Sequence, residues 1–246
     1  MQETRTFTAH GVSYTYVFVR KKIKNLNLRV KKDGTLYVSA PQRMPMARVE
    51  EFLSRQTEFI TRAREKLAGR QAAAPAPLQL TTGEQIPIWG VLHTVCVLKR
   101  TKRLAMTQNG TLYLYVNDPE NAAERYRCFA ELLDREARTG LTARTAALTP
   151  LFAPKPGAVP ALTFRTMTSK WGVCRPTVGR VTLNRNLVYL PLSLVDYVIC
   201  HELAHFHHAD HSAAFWQCLA AVMPDCKERR KALNAYPIPQ FCLASS

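Results

Sequence analysis

HELAHFHHADH, residues 201–211, holds five of the seven histidines in this chain of 246 residues. His201 and His205 are four residues apart, so on an α-helix they lie on one face. Two imidazoles in that arrangement direct their nitrogens to one point about 2.0 to 2.1 Å away, which is the zinc–nitrogen distance. Glu202 is rotated off this line, where its carboxylate can bind the water of a metal ion rather than the ion. The segment therefore predicts a helix that carries two metal ligands and a general base.

A catalytic zinc ion needs a third protein ligand and leaves its fourth position to water. His211 is the predicted third ligand, because the five residues between it and His205 can reverse the chain. His207 and His208 are the alternatives, but both are expected to point away from the shared face. His208 also occupies the glycine position of H-E-x-x-H-x-x-G-x-x-H, which disfavours a metzincin. If these were solvated histidines at a helix end, the spacing and Glu202 would be accidental.

The chain is strongly basic. Lysine and arginine outnumber aspartate and glutamate by 34 to 18, which gives a formal net charge of +16. The densest clusters lie at residues 20–24, 31–32, 99–103 and 229–231. Such a field attracts polyanions, so nucleic acid or nucleotides are candidate partners through a basic surface. A surface that serves only solubility explains the charge equally well, because charge without a recognition motif carries little information.

The cysteines and the apolar runs indicate the compartment. The seven cysteines are scattered, and no C-x-x-C pair occurs. This argues against a thiolate zinc ribbon and a disulfide framework, and we expect buried thiols in a reducing compartment. No apolar run has the length of a membrane helix, and the first residues lack the pattern of a secretory signal. We therefore expect a cytoplasmic protein with no membrane partner.

Turn residues and periodicity indicate the secondary structure. Alternating apolar residues around Asp33-Gly34 and Asn109-Gly110 predict two β-hairpins with two-residue turns. The similar strings GTLYV and GTLYL follow these turns, and they predict either two halves of one sheet or two independent solutions of one turn. Amphipathic helices are predicted over residues 45–67 and 119–147. Pro191 begins the helix that leads into the histidines.

Two segments rich in proline and alanine divide the chain. Residues 71–77, QAAAPAP, predict a loop, and residues 152–160, FAPKPGAVP, predict the domain boundary. We predict an α+β protein with an HExxH active-site helix. Its predicted domains are an N-terminal β-hairpin and helix region, residues 1–150, and a minimal zincin-like metallohydrolase domain, residues 155–246.

Four runs of residues carry a resemblance. They are Lys170-Trp171-Gly172-Val173-Cys174 with Leu183-Asn184, then Asp196 through His205, then His211-Ser212-Ala213-Ala214-Phe215-Trp216. These runs resemble the YgjP-like zinc metallopeptidases, a family similar to the WLM-type and more distantly to the SprT-like proteases. Strands near residues 29–41 and 82–90 are similar more weakly. The chain departs from the family at Lys170, which replaces arginine and cannot reproduce a bidentate contact, and at Val173, which replaces serine.

The resemblance implies zinc ligation by His201, His205 and His211 and a general base at Glu202, the same residues that the spacing predicts. It also implies a peptide or protein substrate. For a further set of residues it implies only proximity to the site, and core packing is the alternative for the aromatic ones. These residues are Trp171, Gly172, Cys174, Asn184, Ser212, Phe215 and Trp216.

We therefore predict a zinc-dependent hydrolase, most simply a metallopeptidase, in which Glu202 accepts the proton of a zinc-bound water. Tyr189, Tyr197 and Asn184 are candidate donors to the developing oxyanion. The alternatives are a metal-dependent phosphohydrolase acting on nucleotides and a nucleic-acid-associated protease, because the basic charge suits both. Phosphate release from nucleotides, or salt-sensitive binding of nucleic acid, would distinguish them.

Overall fold

A computed structural model describes residues 2–31, 33–72, 77–152, 159–239 and 241, without the side chains of residues 66 and 70–72. The chain divides into two compact units, Met1–Ala74 and Pro75–Ser246. Much of the predicted loop at 71–77 and of the predicted boundary at 152–160 falls outside the described residues. Among the described residues, no helix combines the length and the apolar character needed to cross a membrane.

The first unit is a four-stranded sheet that buries one face against two helices. Its elements are β1 (Gln2–Ala9), β2 (Val12–Lys21), β3 (Asn27–Val30), β4 (Leu36–Pro41), α1 (Met46–Arg55) and α2 (Thr57–Ala72). The strand order is β1-β2-β4-β3, with β2 and β4 parallel and the other pairs antiparallel. Alternate residues such as Phe18 and Val38 form the core with Leu53 of α1. The single helix predicted over 45–67 is two helices, separated at Gln56.

The described part of the second unit contains two sheets and four α-helices. Its elements are β5 (Gln85–Ile88), β6 (Val91–Lys99), β7 (Leu104–Gln108), β8 (Thr111–Val116), α3 (Ala122–Leu148), β9 (Ala161–Arg165), β10 (Gly172–Arg175), β11 (Arg180–Asn184), α4 (Leu192–Ala204), α5 (Ala213–Val222) and α6 (Cys226–Ala235). The strand orders are β5-β6-β8-β7 and β10-β11-β9, so β10 is an edge strand. The mixed α+β class predicted from the sequence is confirmed.

The two four-stranded sheets have the same strand order and the same parallel central pair. The GTLYV and GTLYL strings lead into β4 and β8, which occupy equivalent places in separate sheets, so they are not halves of one sheet. The hairpin predicted at Asn109-Gly110 is confirmed, because Gln108 pairs with Thr111 across a two-residue turn. Both turn residues have positive φ, 48° and 72°, as this turn requires.

Helix α3 shares one hydrophobic core with α4. Leu132 and Leu141 of α3 belong to the same buried cluster as Val198 of α4. Arg144 of α3 donates to both carboxylate oxygens of Asp196 of α4, with Nε 2.8 Å from Oδ1. The division predicted at residues 150–155 therefore falls inside the second unit. Packing joins α3 and α4, although the proline-rich run at 152–160 lies between them in the sequence. The zincin-like layout of the last segment stays a prediction.

The turn between β5 and β6 holds the start of α4. The backbone N–H of Trp89 donates to the carbonyl of Val188, 2.6 Å away. Gly90 has a φ of 78°, and a Cβ there would lie 2.6 Å from the Cα of Pro191, the residue before α4. Only glycine allows this backbone conformation and this approach together. The first sheet of the second unit thus positions the helix that carries His201.

Gly140 of α3 provides a test of this packing. Alanine normally favours a helix over glycine by about 1 kcal/mol. A Cβ at Gly140, however, would lie 2.5 Å from Cζ2 of Trp89. The Trp89 ring is held by a hydrogen bond from Nε1 to Glu136, 3.2 Å long. We expect Gly140→Ala to lower the free energy of unfolding by about 1 to 3 kcal/mol, measured by urea titration with circular dichroism.

Gly69 of α2 is the matched control, since a Cβ there would meet no described atom within 4 Å. We expect Gly69→Ala to leave the unfolding free energy unchanged or raise it by up to about 1 kcal/mol. A Gly140→Ala protein as stable as the Gly69→Ala protein would contradict the contact between Trp89 and Gly140.

Candidate metal centre

Helix α4 and the turn after it bring the histidines together. Val198 lies one turn before His201 and Leu194 two turns before it, on the same face, and both are buried in the core. The helix ends at Ala204, and His205 follows as its C-terminal cap. The chain then turns back, and Ser212 precedes α5. His211 thereby returns to the face that His201 and His205 share.

The three predicted ligands form one cluster. One ring nitrogen from each of His201, His205 and His211 lies within 4.8 Å of the other two. The Nε2 atoms of His201 and His211 are 3.0 Å apart. Among the described residues, His207 and His208 are not part of this group. Nε2 of His207 instead donates to the carbonyl of Phe152, 2.8 Å away. The side chains that the sequence places in one site are therefore together, and their role as ligands stays a prediction.

The ring of Phe215 lies against all three imidazoles. Its centroid is 4.9 Å from that of His201, 4.7 Å from His205 and 4.9 Å from His211. The side chain is fully buried, with 0% exposed. Trp216 is next to it, with its ring 6.1 Å from His201 and from His211. The aromatic residues of α5 thus form the apolar support of the cluster, in agreement with both the packing and the proximity expected of them.

The protonation of His201 and His205 suits metal binding. Burial, and then the neighbouring His205 and His211, lowers the pKa of His201 to about 4. Burial also lowers the pKa of His205, although its hydrogen bond to His208 opposes this. Nδ1 of His205 donates to the carbonyl oxygen of His208, 3.1 Å away, so Nε2 carries the free lone pair. Nδ1 of His201 is buried and has no hydrogen-bond partner among the described residues. Neutral imidazoles of this kind are the form that binds a transition metal.

Glu202 is buried beside the cluster, with 6% of the residue exposed. A Cβ on Gly172 of β10 would lie 2.5 Å from its Oε1, so the absence of a side chain there makes room for the carboxylate. Burial raises the pKa of Glu202 to about 7, against the opposing effects of the backbone N–H of Cys174 and the charge of Lys170. The sequence placed Gly172 near the site only through the family resemblance and did not predict strand β10.

A cleft of about 240 Å³ adjoins His201 and Glu202. Its other lining residues come from the loop before β10, from the start of β10, from α4 and from α6. They are Ser169, Lys170, Trp171, Gly172, Tyr197, Val198, Arg230, Leu233 and Asn234. From the sequence, Arg230 was only a member of the basic cluster at 229–231. Its one signal is the helical spacing of Arg230, Leu233 and Asn234, which indicates a shared face.

The three candidate oxyanion donors have different surroundings. The amide nitrogen of Asn184 donates to the carbonyls of Met167 and Lys170, each 2.8 Å away, so it orders the loop before β10. Tyr189 is buried in the core. Tyr197 lines the cleft, and no hydrogen bond of its hydroxyl occurs within the described part of the chain. Of the three, Tyr197 alone lines the cleft.

The basic clusters lie in both units. In the first unit, Nζ of Lys21 and of Lys31 lie 5.5 Å and 5.0 Å from the ring centroid of Tyr37. In the second unit, Arg103 pairs with Glu131. Lys32 is outside the described residues. Binding of nucleic acid or nucleotides by these clusters stays a prediction.

Converging imidazoles next to a buried carboxylate, on a mixed α+β scaffold, are the kind of side chains that metal-dependent hydrolases use. The YgjP-like metallopeptidase domain matches residues 24–236. This chain belongs to the YgjP-like metallopeptidase family, so the resemblance predicted from the sequence is confirmed. Membership makes the protein a hydrolase and implies a metal ion and a peptide or protein substrate.

Two solved structures are similar over smaller parts of the chain. The metallopeptidase zymogen of Pyrococcus abyssi abylysin is 18% identical with a TM-score of 0.34, over 42% of this chain and 99% of that one. The metallopeptidase zymogen of Methanocaldococcus jannaschii jannalysin is 20% identical with a TM-score of 0.33, over 38% of this chain and 93% of that one. A comparison with curated proteins gives no match.

The support given by Phe215 can be measured as stability. We expect Phe215→Ala to lower the free energy of unfolding by about 3 to 5 kcal/mol, because it opens a cavity under three packed rings. Phe59 of α2, 47% exposed, is the matched control, and we expect Phe59→Ala to change the same quantity by no more than about 0.5 kcal/mol. Calorimetric unfolding of both variants tests this, and similar losses would contradict the buried position of Phe215.

Proposed function

We propose that this chain is a zinc-dependent metallopeptidase in which His201, His205 and His211 hold the ion and Glu202 is the general base. The observation that carries the proposal is the convergence of three ring nitrogens within 4.8 Å. Three neutral imidazoles are a common donor set for a catalytic zinc ion and leave one coordination position open. His211 is exposed, so the cluster is accessible from solvent.

A zinc ion at this site would lower the pKa of a water molecule toward about 7 and polarise the carbonyl of the peptide bond. Glu202 accepts the proton at a carboxylate oxygen and passes it to the leaving amine. Close packing against Gly172 fixes the orientation of that carboxylate. Tyr197 is the candidate donor to the oxygen of the attacked carbonyl, because it lines the cleft next to His201 and Glu202.

Metal content tests the ligands. We expect purified protein to hold about one zinc ion per chain, and His201→Ala, His205→Ala or His211→Ala each to lower this content strongly. His208→Ala is the matched control and should keep the metal, since its side chain is not one of the converging rings. Elemental analysis after dialysis measures the content, and circular dichroism verifies folding. Full metal in His211→Ala together with loss in His208→Ala would show that the third ligand is misassigned.

Substitution of Glu202 separates metal binding from catalysis. Glu202→Gln keeps the shape and one hydrogen bond but cannot accept a proton, so zinc should stay bound while kcat/KM falls at least about 10²-fold. Glu228→Gln on the exposed side of α6 is the control and should match the wild type. Hydrolysis of unfolded protein and of peptides is measured beside phosphate release from nucleoside triphosphates. A fully active, zinc-loaded Glu202→Gln protein would refute the general base, and faster triphosphate hydrolysis would favour the phosphohydrolase.

A further inference from the structure

Two cationic side chains line the cleft without an acidic partner. Lys170 comes from the loop before β10 and Arg230 from α6, and Glu202 is the one carboxylate among the lining residues. Within the described part of the chain, neither cation forms an ion pair. The cleft beside the metal centre thus holds two positive charges that no ion pair neutralises within the described residues.

The neighbouring arginines of α6 have different roles. Nε of Arg229 donates to Asp225 at 2.7 Å, and Nη1 donates to the carbonyl of Ser193 at 2.9 Å. Arg229 therefore fastens α6 to the start of α4. The guanidinium carbon of Arg230 instead lies 5.0 Å from the ring centroid of Trp216. Stacking of this kind orders a guanidinium while leaving its N–H groups free to bind an anion.

The position of Arg230 fits an extended substrate. The ring centroid of Trp216 is 6.1 Å from that of His201 and 5.0 Å from the guanidinium carbon of Arg230. The guanidinium is therefore within about 11 Å of His201, a span of about three extended residues. The charge of Arg230 also acts on the cleft itself: burial raises the pKa of Tyr197, and Arg230 opposes this rise.

We propose that Arg230, assisted by Lys170, forms a subsite that binds a substrate carboxylate within about three residues of the cleaved bond. This rests on the proposed peptidase function. The planar fork of arginine matches both oxygens of a carboxylate, and the lysine adds a mobile point charge. The carboxylate is either the side chain of a glutamate or aspartate or the free C-terminus of the peptide, and both offer the same group.

Matched peptides test the subsite in the zinc-loaded enzyme. One series places Glu or Gln at each of the three positions on either side of the cleaved bond, and a second compares a free C-terminus with an amide. For the wild type we expect kcat/KM to be about tenfold higher for the carboxylate member of at least one pair, a typical effect of one charged hydrogen bond that is partly solvated. In Arg230→Gln the two members should agree within about twofold. Lys231→Gln, which removes an equal charge from α6 outside the cleft, should keep the wild-type preference.

Binding to the metal-free protein separates this proposal from the proposed function. Tryptophan fluorescence reports the affinity for the preferred acidic peptide and its amide counterpart, and Arg230→Gln should abolish the difference between them. If no peptide is cleaved but this binding preference is present, the subsite stands and the peptidase function fails. Equal cleavage and binding of both members, or a preference that survives in Arg230→Gln, overturns the subsite. Binding of inorganic tripolyphosphate that depends on Arg230, without a preference for acidic peptides, also overturns it and identifies a phosphate site.

Discussion

The arrangement of the candidate metal centre depends on the contact between Phe215 and three imidazole rings. The Nε2 atoms of His201 and His211 are within hydrogen-bonding distance of each other, and packing and bonds to the backbone hold the rest of the arrangement. Phe215 supplies the packing for all three rings from a position without solvent contact. The bond from Nδ1 of His205 to the carbonyl of His208 then sets which nitrogen of that ring faces the cluster. The chain thus prepares the donor set with its own side chains, which reduces the reorganisation that metal binding would require.

The helix that carries His201 and Glu202 is itself held at several points. Its start contacts Gly90 in the turn between β5 and β6, and Arg229 reaches the carbonyl of Ser193 from α6. One turn further on, Asp196 pairs with Arg144, and its side chain is only 14% exposed. A pair at this depth is costly to break from one side, because the remaining charge stays partly desolvated. These contacts come from segments far apart in sequence, so the rigidity of the site belongs to the whole second unit.

Local patterns account for what the sequence predicted well. The spacing of His201 and His205 fixes their shared face, and Asn109-Gly110 fixes a two-residue turn, because each depends on residues a few positions apart. Long-range contacts account for what it missed. Strand β10 is short, and its importance lies in the room that Gly172 leaves for Glu202. Arg230 lines the cleft because α6 packs against α4, a contact to which Arg229 contributes through the carbonyl of Ser193. The predicted division near residue 150 follows composition, which gives no sign that Arg144 would pair with Asp196.

The two four-stranded sheets have the same strand arrangement, but their corresponding turns make different contacts. The turn at His10-Gly11 has φ values of 49° and 74°, and the turn at Trp89-Gly90 has 53° and 78°, so their backbones are alike. A Cβ at Gly11 would meet no described atom within 4 Å, whereas one at Gly90 would collide with the residue before α4.

The residues on the second turn therefore give that sheet its role in positioning the candidate metal centre. Trp89 adopts a backbone conformation that is unfavourable for a large side chain, and its bond to Val188 and its packing on Gly140 offset the cost.

The family match begins at residue 24, between β2 and β3, and so omits the first hairpin. The corresponding hairpin of the second unit, β5 and β6, supplies two of the four strands of its sheet. In the first unit, β1 and β2 likewise supply two of the four strands, and the matched region contains only β3 and β4 of that sheet.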